Sequence, residues 1–498
     1  MVIMILFTYH LSLVTSMAQR PLRGNCLPDN TDVLASRADM QRKALPTLRT
    51  QWDAERSYPV AVVLVEFSDS VFSSDDPHAF YSSLFNEEGY HQRSGKGCVT
   101  EYFRDQSGGL FNPLFEIYGP VKVEQAAKSN SSTNYGHSVF REAMQKVIDA
   151  NADVDFARYD WDGDGTAEHV IFVYASYGGN ESADEVTGLI WPNTSTFTTV
   201  SAGSTKFSRY SASNELFWGN KKSSGIGTIC HEYVHTLGLP DLYPTSSSST
   251  EYSVVDEWDL MDGGNFADRG WCPPNLSAHE KMLLGWLTPE ELTEASTVSA
   301  LKSVEAGGKA YIIRTDENAD EFFLLENRQH EGWDMKTPGH GLVISHVDYV
   351  KSKWTGNSVN NDKNHHYYDL VHADNMNYDQ WETSLTGSKY SNGCSRLLST
   401  TPYPYVSADT ENRALTDTTV PAATIFCGTG LLSKPITDIV EAADGTVSFN
   451  FMGGTSSAIV NVNANDNDNC WYDVQGRPAS PRQRGLLISG DGRKRINR

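Results

Sequence analysis

Hydrophobic residues first gather into a recognisable element at Val60-Ala61-Val62-Val63-Leu64-Val65-Glu66-Phe67, a nearly continuous apolar run rich in β-branched side chains. Such a run predicts a strand buried on both faces, and with it the start of a mixed sheet. Residues 100–107 predict a helix stopped by Gly108-Gly109, and 115–121 a strand running into the Gly119-Pro120 turn. Val139, Phe140, Ala143, Met144 and Val147 recur at helical spacing, so a helix over 138–149 covers the sheet, and 170–174 predicts a further strand. Beyond Leu287 the pattern changes to short strands at 310–314, 322–326, 341–347 and 446–451. The expected class is α+β: a mixed sheet with helices, then a β-rich region, then a small β tail.

One helix carries chemistry. Ile226, Ile229, Tyr233 and Leu237 form one side of a predicted helix, and Thr228, His231, Glu232 and His235 another. Gly238 then ends it, and Pro240 prevents its resumption. His231 and His235 stand one turn apart on the same face, so both imidazoles can meet one metal ion, while Glu232 projects beside them towards a metal-bound water. Zinc in a hydrolase takes three protein ligands and leaves one position open. Asp241 is the first choice for the third, because Gly238 allows a sharp turn back to the ion; Asp256, Glu257 and Asp259 are the alternatives. Glu232 is then the general base and acid. Met261, inside the Gly-ended segment 258–264, is the candidate for a hydrophobic floor beneath the metal; the competing reading is a core methionine filling a gap.

A second cluster lies upstream. Asp160, Asp162 and Asp164 alternate through a glycine turn, with Thr166 and Glu168 behind them. Oxygen ligands at that spacing suit calcium. An EF-hand needs Glu at the twelfth position, where this chain has Ile171, so the choice is a single-loop calcium site or an acidic turn tied by its own backbone bonds. His340 and His346 are read as structural histidines rather than as a second metal site.

Composition narrows the partners. The 498 residues hold 63 Asp and Glu against 40 Lys and Arg, a formal net charge of -23. With no basic run in the main body, nucleic acid and anionic membrane are poor partners. Residues 1–18, apolar and ending in Ser16-Met17-Ala18, have the pattern of a signal peptide, and no other stretch is long and apolar enough to span a membrane. The seven cysteines include no C-x-x-C pair, which argues against a cysteine-built metal site. Cys26 falls in 19–55, a polar leader or pro-segment, and is read as a disulfide partner or free thiol in preference to a thiolate that blocks the metal. The remaining divisions are a catalytic domain over 56–287, the β-rich region continuing it over 288–452, a Gly/Ser/Asn/Asp-rich linker over 453–469, and a basic tail over 470–498.

The chain resembles the immune inhibitor A family of secreted bacterial zinc metallopeptidases. The resemblance rests on H-E-x-x-H-x-x-G-x-P-D from His231 to Asp241, on Trp258-Asp259-Leu260-Met261-Asp262-Gly263-Gly264, and on Leu276 to Trp286. It implies a metzincin-like catalytic domain, an N-terminal pro-segment, zinc, and proteolysis of extracellular proteins or peptides by a secreted or cell-surface enzyme; a monomer is expected. The last 28 residues resemble the C-terminal tails of proteins secreted by bacteria of the Bacteroidetes type. That implies contact with secretion machinery. The rival reading is an inactive adhesin or glycan binder on a peptidase scaffold, which the retention of Glu232 and both histidines opposes.

Overall fold

The computed structural model describes residues 45–129, 135–179, 188–217, 222–246, 253–376 and 398–455, with short strands of the tail between 471 and 497. The predicted signal peptide, most of the leader including Cys26, and most of the linker lie outside the described residues.

Strand β1 (Ser57–Glu66) is the centre of the first sheet, and its apolar run is buried on both faces as its pattern requires. It pairs in parallel with β2 (Asn112–Lys122) and β3 (Val170–Tyr177). β3 pairs in parallel with β5 (Thr205–Phe217), and β4 (Asn193–Ala202) closes the edge antiparallel to β5. The order is therefore β2-β1-β3-β5-β4, with a short β6 (Lys222–Ser223) on β5.

Helices cover both faces. On one, α1 (Pro77–Asn86) and α2 (Val99–Gln106) pack with the metal-binding candidate helix around Val60, Val62 and Leu64. On the other, α3 (His137–Ala150) buries Val139, Phe140, Ala143, Met144 and Val147 against Ala61, Val63 and Val65. The alternation of β1 side chains thus separates two cores. Helix α1 starts where Asp76 accepts a hydrogen bond from the Ala79 N–H at 3.0 Å and Pro77 opens the first turn.

The β-rich half follows. β7 (Glu290–Glu291), β9 (Tyr311–Arg314), β10 (Glu321–Arg328), β11 (Gly341–Asp348) and β12 (Tyr368–Leu370) form one sheet. β8 (Ser296–Leu301), β15 (Ile436–Glu441) and β16 (Val447–Phe451) form another, with the pair β13 (Tyr405–Val406) and β14 (Glu411–Asn412) between them in sequence. Every residue of β10 is buried. One face adds Phe322, Leu324, Val343 and Val347 to the same core as the candidate helix, so the two halves share packed surface. In the tail, four short strands pair antiparallel in the order 478–479, 471–472, 485–489, 494–497.

Candidate active site

Helix α4 (Gly227–Thr236) carries the two histidines, and every residue from Gly227 to His235 is buried. Its apolar side places Tyr233 against Phe103, Phe111 and Phe115. The polar side is buried as well, because the helix packs against β4, β5 and residues 263–270. Gly227 is required at the start, since a Cβ there would come 2.0 Å from the Asn265 carbonyl oxygen. Gly238 ends the helix at φ +102, where the chain turns against Leu48, a conformation that favours glycine.

That turn returns Asp241 to the histidines. Asp241 Oδ1 lies 3.3 Å from His231 Nε2 and 3.1 Å from His235 Nε2. His231 Nδ1 lies 2.8 Å from the Leu260 carbonyl and His235 Nδ1 2.8 Å from the Leu239 carbonyl. A carbonyl oxygen only accepts, so each Nδ1 is the protonated donor and each Nε2 is left with a lone pair facing the other ligands. Within the buried site, His231 Nε2, Asp241 Oδ1 and Glu232 Oε1 all have no hydrogen-bond partner. Unpaired polar atoms are costly in an interior. His231, His235 and Asp241 bring ligand-type atoms within 4.8 Å of one another, and two imidazole nitrogens and one carboxylate oxygen are a donor set a divalent metal ion accepts.

The electrostatics agree. Burial works against a charge on His235, yet the adjacent Asp241 carboxylate raises its pKa to about 9. Burial likewise opposes ionisation of Asp241, but the two imidazoles hold its pKa far below the usual carboxylate range.

Glu232 is held from the sheet. The Thr194 hydroxyl, on edge strand β4, lies 2.6 Å from the Glu232 carbonyl oxygen and 3.0 Å from Oε2, and Oε1 has no hydrogen-bond partner. Met261 is fully buried in the same core, and the backbone around it reaches both ligand segments. The carbonyl preceding it accepts from His231, its own carbonyl accepts from Leu242 N–H at 2.9 Å, and its N–H donates to Asp259 Oδ1 at 2.8 Å. Asp256, Glu257 and Asp259 are not part of the metal-sized group among the described residues.

Sequence reasoning missed the partner of Asp241. Asn357 accepts from the Asp241 N–H and donates to Asp241 Oδ2, each at 2.7 Å. A lone asparagine in a loop of the β-rich half carries no periodic or spacing signal; the run Asn360-Asn361 beside it was the available hint.

In the acidic loop, carboxylate oxygens of Asp160, Asp162 and Glu168 lie within 4.8 Å of one another. Asp164 and Thr166 are not in that group. Asp160 accepts from the N–H groups of Gly163, Asp164 and Gly165, Asp162 from Asp164, and Asp164 from Thr166. Arg49 also stands 3.5 Å from Glu168 Oε1. His340 and His346 pair with Glu441 and Glu321 at 2.7 and 2.9 Å.

Comparison with known proteins fits this geometry. Residues 50–285 match the catalytic domain of the immune inhibitor A peptidase M6 family. Immune inhibitor A of Bacillus thuringiensis subsp. alesti is 25% identical over 278 residues, covering 45% of this chain and 39% of that protein. Pre-pro-metalloprotease PrtV of Vibrio cholerae serotype O1 is 24% identical over 279 residues, covering 49% of this chain and 30% of that protein. The chain thus spans well under half the length of these relatives. Through residues 50–285, the chain is similar to the catalytic domain of the immune inhibitor A family of M6 metallopeptidases.

Proposed function

We propose that the chain is a secreted zinc endopeptidase with a metzincin-like catalytic domain, hydrolysing peptide bonds in extracellular proteins or peptides. The observation that carries this reading is the buried group His231, His235 and Asp241, whose ligand-type atoms lie within 4.8 Å of one another with His231 Nε2 and Asp241 Oδ1 lacking hydrogen-bond partners. Two imidazoles and a carboxylate are a ligand set typical of zinc. The antiparallel edge strand β4 beside the ligand helix, and the turn at Met261 under it, support the metzincin-like architecture.

Zinc, when bound by His231, His235 and Asp241, would polarise the scissile carbonyl and acidify a water molecule. Glu232 would serve as the proton acceptor for the attacking water and the proton donor to the departing amine, so one carboxylate would serve both halves of the reaction. Thr194 holds Oε2 and thereby aims Oε1. Burial of the whole helix limits solvent and strengthens each electrostatic contact.

The naming of PrtV as a pre-pro-metalloprotease supports reading residues 1–18 as a signal peptide and 19–55 as a pro-segment. Sorting through the basic tail 470–498 and calcium at Asp160, Asp162, Asp164, Thr166 and Glu168 complete the proposal. The test of the mechanism is Glu232→Gln assayed on casein: proteolysis should fall about 10²–10⁴-fold with zinc content unchanged. Unchanged proteolysis would refute the assignment.

A further inference from the structure

We infer that Asn357, supplied by the β-rich half and lying beyond the family-matched segment, is a positioning residue for the third metal ligand, so the metal site is completed by two halves of the chain. The inference rests on Asp241 being a ligand.

The geometry is a two-point clamp. The Asn357 side-chain amide accepts the Asp241 N–H and donates to Asp241 Oδ2, both at 2.7 Å, so backbone and carboxylate are fixed together. With Oδ2 occupied, Oδ1 is the oxygen left to face His231 and His235. Asp241 and Asn357 are both buried, at 1% and 5% exposure, so water does not compete for these bonds.

Its neighbours extend the grip along the same ligand segment. Asn360 Nδ2 donates to the Leu242 carbonyl at 2.8 Å and also to the Tyr368 carbonyl on β12. Asn361 Oδ1 accepts from the N–H groups of Thr245 and Ser246 at 2.7 and 2.9 Å, and the Thr245 hydroxyl donates to the Asn357 carbonyl at 2.6 Å. Asn357 itself takes φ +49, a left-handed conformation that asparagine tolerates better than most residues. The short helix before it, Lys351–Thr355, is tied to the N-terminal segment, since Leu45 N–H donates to the Thr355 carbonyl. That segment continues to Arg49, whose N–H donates to the Leu237 carbonyl at the end of α4. Both supports of the turn carrying Asp241 are therefore anchored from outside it. A carboxylate ligand oriented by a second residue loses metal affinity when that residue is removed.

The test measures zinc dissociation constants on the full chain by competition with a chromogenic chelator, together with thermal unfolding of the metal-free protein. Asn357→Gly keeps the backbone conformation and deletes the clamp. Asn357→Asp is nearly isosteric, keeps the acceptor for the Asp241 N–H, and sets a carboxylate oxygen against Oδ2. Both should weaken zinc about 10–100-fold. The metal-free unfolding temperature of Asn357→Asp should move by only a few degrees, separating ligand positioning from loss of fold. If Asn357→Gly does not fold, Asn357→Asp decides. Asp241→Ala runs in parallel. Zinc binding lost there but within about twofold of wild type in the foldable Asn357 variants overturns this inference alone; binding retained in Asp241→Ala overturns the ligand assignment and this inference with it.

Discussion

Two clusters of metal-type side chains stand in this chain, and they differ in what their donor atoms lack. At His231, His235 and Asp241 the outer atoms are hydrogen-bonded, by Leu260, Leu239 and Asn357, while inner atoms converge unpaired and buried. In the loop of Asp160, Asp162 and Glu168, the aspartates already accept from the loop's own N–H groups and the loop is largely exposed. Carboxylates at alternate positions build a turn as readily as an ion site. The buried cluster leaves ligand-type atoms facing one another with few partners, whereas the aspartates of the loop are tied by its own backbone and, of its buried carboxylate oxygens, only Glu168 Oε1 is left without a hydrogen bond.

The contrast can be broken by mutation. His235→Ala should have the largest effect, abolishing stoichiometric zinc binding and casein hydrolysis together, as metal analysis of the purified protein would register. Retained zinc at one equivalent would mean the ligands lie elsewhere. Asp160→Ala should leave zinc and turnover unchanged yet destabilise the fold by about 1–3 kcal/mol, because three backbone N–H groups lose their acceptor. Calcium titration sharpens that result. A rise in unfolding temperature with calcium in the wild type, absent in Asp160→Ala, supports a cation in the loop; no rise leaves it a self-tied turn.

The smallest effect concerns His279, a third kind of buried group. Both its ring nitrogens are unpartnered, but they face Phe322, Tyr349, Trp354 and Tyr368 instead of other ligands. Burial pushes its pKa down to about 3. The unfolded chain takes up a proton below about pH 6.5 that the folded chain refuses. Its contribution to stability is therefore complete above that pH and is lost as pH falls towards 3, by up to about 1.4 kcal/mol per unit. Urea denaturation at pH 7 and pH 5 should reveal this loss, and His279→Phe should reduce it. An equal loss in the variant would assign the pH dependence to other groups.

Much of the fold was legible. β1 announced itself because burial on both faces removes polar residues, and α3 because one buried face imposes helical spacing. The spacing of His231 and His235, and the turn permitted by Gly238, pointed to the three side chains, His231, His235 and Asp241, that the structure brings within 4.8 Å of one another. The burial of the polar side of α4 was not legible, since β4, β5 and residues 263–270, which pack against the helix, are brought to it only by the fold. Asn357 and Thr194 were invisible for the same reason: a hydrogen bond between residues far apart in sequence leaves no local pattern. The edge strand bearing Thr194 is rich in serine and threonine, and its pairing with β5 becomes evident only in the sheet.

The most direct test of the central claim is anomalous scattering at the zinc edge from crystals of the purified protein. The account predicts one zinc ion about 2.0–2.2 Å from His231 Nε2, His235 Nε2 and Asp241 Oδ1, with a fourth position open beside Glu232. An ion held elsewhere, or at this site without Asp241, would contradict it.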